Sequence, residues 1–332
     1  MRRGRASPTG RPASPRGGAA RAVSVQATVP PVHLTPLGPS GRSVTAVVAG
    51  AAREPVPVKQ GVAALGTGWD LGVRSLDVAD VGSAGETAAE RFLDDRQPED
   101  TVILAGVGGP AGPERGADHA PERVEAGLAA TSRRLGRADL VWLAGADAET
   151  PIEATLTALA AAVEDGRVAG WGAADIDVWR LEALLTAADR AALPRPAFVR
   201  IRMHLLDRTA ERDLLPLATG EGLGVLARAP FAGGRLTDAH VEAEEEAGRL
   251  AASGSPRTTP EDPALQTLLT LRGLARERSL STAALALAWL LGHPGVTAPV
   301  VAARSERVWE TVHEALEAEI DEELLDRVGA LH

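Results

Sequence analysis

The sequence predicts a single closed (β/α)8 barrel. Eight short apolar runs recur along the chain, amphipathic helical segments separate them, and together they span about 290 residues, the usual size of such a barrel. The runs are continuous rather than alternating, as expected of parallel strands covered on both faces. A doubly wound open sheet is the competing architecture.

In chain order the predicted strands are Val44–Val48, Val73–Leu76, Thr101–Ala105, Leu140–Leu143, Val168–Trp171, Ala197–Ile201, Gly224–Ala227 and Ala298–Val301. Between the fourth and fifth, Ile152, Leu156, Leu159 and Val163 repeat at helical spacing and form one stripe. Val308, Val312 and Leu316 do the same after the last strand. Residues 231–260 hold no strand pattern and carry the acidic run Glu242–Glu246, which reads as a long loop over the barrel mouth with a short helix. Residues 1–28 are rich in Arg, Pro, Ser and Gly with no apolar period, and read as a disordered tail ahead of a barrel covering 29–332. The Arg2–Arg3 pair is followed by no apolar segment of the kind an export signal needs.

Composition excludes whole classes of chemistry. The chain has no cysteine, which rules out disulfides, thiolate nucleophiles and cysteine-ligated zinc, and fits a reducing cytoplasm. A net charge of −10 argues against nucleic acid as a partner, because phosphate binding needs surplus cations. The longest apolar stretch, Ala283–Leu291, is too short to cross a bilayer. Tyrosine is absent, and Lys59 is the only lysine. The seven histidines have no metal-ligand spacing, so no metal is expected.

Four blocks carry a resemblance: "SRRLGRADLVWLAG" (Ser132–Gly145), "PIEATLTALAAAVEDGRVAGWG" (Pro151–Gly172), "LLPLATGEGLGVLARAPFAGGRLT" (Leu214–Thr237) and "STAALALAWLLGHPGVTAPVVAARS" (Ser281–Ser305). In this order and spacing they resemble the aldo-keto reductases, over residues 36–328. The resemblance implies NADP(H) as cofactor and hydride transfer to a carbonyl. In that family a tyrosine donates the proton, a lysine paired with an aspartate lowers the tyrosine's pKa, and a histidine orients the carbonyl.

Position by position, the resemblance puts the aspartate on Asp77, the tyrosine on Gly82, the lysine on Gly106 and the histidine on Ala144, so only the aspartate is kept. Asp77 then stands without its lysine and loses that stabilising charge. The pair that holds the nicotinamide amide falls on Ala174 and Asp175, and the next strand's glutamine and stacking tyrosine fall on Arg200 and Met203. Arg304 and Ser305 match contacts to the adenosine phosphate, with the following positions on Val308 and Val312. The loop "APFAGG", with Pro230, Phe231 and Gly233, is intact.

The residues also suggest chemistry of their own. Arg200 and Arg202 lie two apart on a strand and share a face, a candidate site for a small anionic ligand at the barrel mouth, and His204 beside them is a candidate general base. Most of the six tryptophans are expected in packing positions. Three functions follow: an NADP(H)-binding reductase relative with altered or vestigial redox chemistry, a non-redox lyase or cyclase built on Asp77, Arg200 and His204, or a non-catalytic binding barrel.

Overall fold

The computed structural model describes residues 33–51, 56–78, 84–108, 117–145, 147–244 and 263–331. The tail at 1–28, Gly82 and the end of the acidic run (Glu245 and Glu246) lie outside these residues.

Eight parallel strands close into a barrel in chain order: β3 (Val48–Gly50), β4 (Ser75–Val78), β5 (Val102–Val107), β6 (Leu140–Ala144), β7 (Gly170–Ala174), β8 (Phe198–Arg202), β9 (Gly224–Arg228) and β10 (Ala298–Ala302), which pairs back onto β3. The closed barrel, rather than the open sheet, is the architecture. Side chains alternate across each strand. Outward residues such as Ile103, Val141, Val199 and Val301 pack under the surrounding helices, while Leu104, Leu140, Phe198, Leu226 and Val300 fill the interior.

The first predicted strand is corrected. Residues 44–48 do not form one strand: β1 (Leu34–Pro36) and β2 (Ser43–Thr45) make an antiparallel hairpin, and the barrel begins afresh at Val48. The Thr45 hydroxyl donates to the Val47 carbonyl at 2.7 Å and bends the chain between the two. The other strands start at or up to two residues after their predicted starts and end one to three residues later. Each carries a charged or small residue at its end or one residue before it, such as Asp77, Ala144, Arg202 and Arg228, which breaks the apolar run that marks a strand in sequence.

The hairpin closes the barrel's N-terminal end. Leu37, at its tip, has 0% exposure and packs with interior residues Leu104, Leu140 and Phe198. Two glycines permit the approach. Gly38 sits at φ +53, and a Cβ there would lie 1.9 Å from the Ala197 carbonyl oxygen. At Gly224 a Cβ would lie 2.4 Å from Leu37 Cδ1.

The helix Ile152–Glu164 buries Leu156 and Leu159, with Ile152 and Val163 at the margin, as its stripe predicts. The helix Arg307–Glu317 differs: it buries Trp309, Val312 and Ala315, while Leu316 is exposed. Tryptophan at 309 turns the stripe by one residue because its ring is the largest apolar surface on the helix. Residues 238–244 are helical, matching the short helix expected in the mouth loop. Among the described residues no helix is long and apolar enough to cross a membrane.

The Leu37 plug should be a stability determinant. Leu37→Ala is expected to lower the unfolding free energy by about 2–5 kcal/mol, because the cavity left behind is walled by a rigid barrel. Urea denaturation measures this, and a loss below about 1 kcal/mol would show that the hairpin is not part of the core.

Candidate functional site

The C-terminal ends of the strands open onto a cavity of about 1010 Å³. That is enough space for a large ligand, since small-molecule pockets run to roughly 1,000 Å³. Of the sequence-derived candidates, Gly106, Ala144, Asp175, Arg200, Pro230, Phe231, Gly233, Arg304 and Ser305 all line it. Asp77 lies beneath the floor, with 0% exposure.

Asp77 is inward-facing on β4, and its two carboxylate oxygens are each met. Oδ2 accepts from Arg200 Nε at 2.9 Å, and Oδ1 accepts from Trp142 Nε1 at 2.9 Å. The Arg200 guanidinium lies 4.7 Å from the centre of the Trp142 ring. Such cation–π and ion-pair contacts are strong where water is excluded. The expectation that Asp77 stands without a cationic partner is therefore corrected. The cation comes from Arg200 on β8, across the barrel interior.

Arginine parity explains how. Phe198, Arg200 and Arg202 all point inward along β8, but successive inward residues rise toward the mouth. Arg200 reaches down to Asp77, whereas Arg202 leaves the barrel rim and pairs with Asp207 at 3.2 Å, with its side chain 55% exposed. The predicted joint anion site of Arg200 and Arg202 is not formed, because each arginine is bound to a different carboxylate. Arg202 does not line the cavity.

Asp175 follows β7 in the left-handed region, at φ +55, and accepts from Arg228 Nε at 2.6 Å. Met203 has 0% exposure and lies in the core outside the barrel, so it offers no face for a ring to stack on. Val308 lines the cavity, but Val312 is buried beneath the helix.

His204 is also corrected. It is 2% exposed and off the cavity, with Nε2 3.4 Å from Arg202 Nε and Nδ1 without a partner, so it cannot reach a ligand at the mouth. Burial, aided by the Arg202 charge, pushes its imidazole down to about 4, with Asp207 pulling weakly the other way.

Sequence reasoning passed over three residues. Trp142 and Arg228 share the inward parity of Leu140 and Leu226, a period-two signal readable from the strand pattern. His119 is a different case: it is buried beside Ala144, whose carbonyl lies 3.2 Å from His119 Nε2. Burial lowers its pKa, against the pull of the Ala144 carbonyl. Its loop is tied by Asp147, which accepts from the backbone N–H groups of His119, Glu149 and Thr150. Burial alone would raise the Asp147 carboxyl, but these bonds and the Thr150 hydroxyl hold it well below the usual carboxylate range. No spacing rule in the sequence pairs His119 with Ala144.

The fit of a dinucleotide divides along the cavity. Arg304, Ser305 and Arg307 line one end at the start of the helix Arg307–Glu317, where guanidinium groups, a hydroxyl and the positive end of the helix dipole suit a phosphate. Pro230, Gly233 and Gly234 shape the adjoining loop, with both glycines at positive φ. The phosphate-bearing half fits. At the other end the groups in place of the amide-holding residues, Asp175 and Arg200, are engaged in ion pairs. Among the described residues no set of three or more His, Asp or Glu is placed to hold a metal.

The His204 environment makes a pH prediction. Its folded pKa lies below the ordinary value of 6.5, so between about pH 6.5 and 4 the unfolded chain binds a proton that the folded chain does not. Its contribution to stability is complete above pH 6.5 and is lost as pH falls through that window. Unfolding titrations of the wild type and His204→Asn should therefore diverge in slope across the window, and parallel curves would contradict this environment.

Comparison with known proteins agrees with the architecture. The chain is 26% identical over 297 residues to a putative voltage-gated potassium channel subunit beta of Schizosaccharomyces pombe, covering 83% of this chain and 86% of that one. It is 28% identical over 266 residues to the L-glyceraldehyde 3-phosphate reductase of Escherichia coli O157:H7, covering 74% and 75%. It is 32% identical over 180 residues to the uncharacterized oxidoreductase YrpG of Bacillus subtilis, covering 54% and 53%. The model of the aldo/keto reductase family matches residues 47–332, and the chain belongs to that family.

Proposed function

We propose that this chain is an NADP(H)-binding barrel whose family redox chemistry is altered or vestigial. The observation that carries this reading is the asymmetry of the cavity. Its phosphate end keeps Arg304, Ser305 and Arg307, while its floor offers Gly106, Ala144 and an arginine already bound to Asp77. When bound, NADPH supplies a hydride. A carbonyl receiving one becomes an alkoxide, which needs a positioned acid. Guanidinium groups hold their protons too tightly for that role near neutrality, and the chain contains no phenol. Binding thus outlives the proton donor.

The lyase or cyclase reading loses one of its three residues, because His204 lies off the cavity. The relatives named as reductases and oxidoreductases support a redox ancestry rather than a new lyase.

NADPH titration followed by tryptophan emission tests the proposal, since Trp142 lines the cavity and no tyrosine contributes background. Saturable quenching is expected, weakened about tenfold in Arg304→Ala through loss of a charged phosphate contact. Oxidation of NADPH by simple aldehydes and quinones should stay at background. Absence of binding at millimolar cofactor would refute the cofactor assignment. A clear wild-type turnover, abolished in Asp77→Asn, would refute the loss of chemistry.

A further inference from the structure

We propose that the cavity floor is a binding subsite for a small organic carboxylate, with Arg200 as its anchor. The inference takes the cavity as the ligand site but does not depend on NADP(H) occupying the phosphate end.

Arg200 spends only its Nε on Asp77. Among the described residues its two terminal nitrogens have no hydrogen-bond partner, and its side chain lines the cavity. The Arg200 side chain is 11% exposed and its guanidinium cannot turn freely, because Asp77 holds its edge and the Trp142 ring supports its face. A guanidinium fixed in this way presents a rigid fork of donors, which matches the two coplanar oxygens of a carboxylate. Little ordering entropy remains to be lost when a ligand arrives.

The space around the fork is unusually bare. Gly106 and Ala144 project almost nothing from β5 and β6, and Gly50 and Ala302 do the same from β3 and β10. Side chains at the two former positions would fill this chamber. On the neighbouring strand Arg228 repeats the arrangement: its Nε is bound to Asp175, and its terminal nitrogens have no partner among the described residues. Both arginines are neutralised by their own aspartates, so the floor attracts through directed N–H groups rather than net charge. That favours a planar oxyanion over a tetrahedral one, whereas the exposed Arg304 and Arg307 at the far end suit phosphate. Among the described residues the carboxylates at the floor, Asp77 and Asp175, are each held in an ion pair with an arginine, so the subsite binds and orients without transferring a proton.

Calorimetric titration of the full chain with oxalate, benzoate and inorganic phosphate, each without NADPH, tests the proposal. Saturable binding of a carboxylate is expected, with phosphate failing to displace it. Arg200→Lys should weaken binding about tenfold or more, because the fork and one charged hydrogen bond are lost. Should that variant not fold, Ala144→Leu decides: it fills the chamber without touching the Asp77–Arg200 pair and should weaken carboxylate binding equally. Arg304→Ala should leave it unchanged. The proposal is overturned if neither carboxylate saturates, if Ala144→Leu binds as wild type does, or if binding depends on Arg304 and yields to phosphate. Carboxylate binding alongside a failed NADPH titration would remove the dinucleotide reading and keep this one; the reverse would do the opposite.

Discussion

Asp77 places a carboxylate in the barrel interior with none of its surface open to water, and such a group persists only if charge and hydrogen bonds replace its hydration. Arg200 and Trp142 provide both. The pair spans the interior from β4 to β8, with Trp142 on β6 contacting each partner. Much of the mouth's character follows from that one demand. Arg200 is drawn down from the cavity onto its aspartate, which separates it from Arg202, clears the floor and turns the donor fork upward.

The rest of the barrel frames this interior charge site by ordinary means. Below it, Phe198, Leu104 and Leu140 form an apolar layer that the Leu37 plug seals against solvent. Above it, the strand ends that line the cavity carry glycine, alanine and ion-paired arginines. The buried carboxylate of Asp77 is met by an arginine four strands away.

The barrel was legible from the sequence because parallel strands buried on both faces leave apolar runs of readable length. Boundaries were less so: β8 and β9 end in Arg202 and Arg228, Asp77 stands one residue before the end of β4, and charged residues at a barrel mouth look like loop in one dimension. The hairpin was missed because Thr45 bends the chain through a side-chain bond that no periodicity records. At the site, the positions of Gly106, Ala144, Asp175 and Arg304 on one cavity were legible through the family blocks. The pairing of Asp77 with Arg200 was not, because the two are 123 residues apart and only closure of the sheet brings them together. His204 was misread since a histidine just past a strand can turn to either side of the barrel wall, and here packing against Arg202 and Asp207 turns it away from the mouth.

A double-mutant cycle across Asp77 and Arg200 reaches the central claim most directly. It compares the unfolding free energies of the wild type, Asp77→Asn, Arg200→Met and the double variant in urea. If the two residues form the closed pair on which the floor is built, Arg200→Met alone costs about 3–5 kcal/mol, because it leaves a buried charge unmatched. The double variant then recovers much of that loss, with a coupling of at least about 1 kcal/mol. Effects that add to within about 0.5 kcal/mol would show that the pair does not hold the site together.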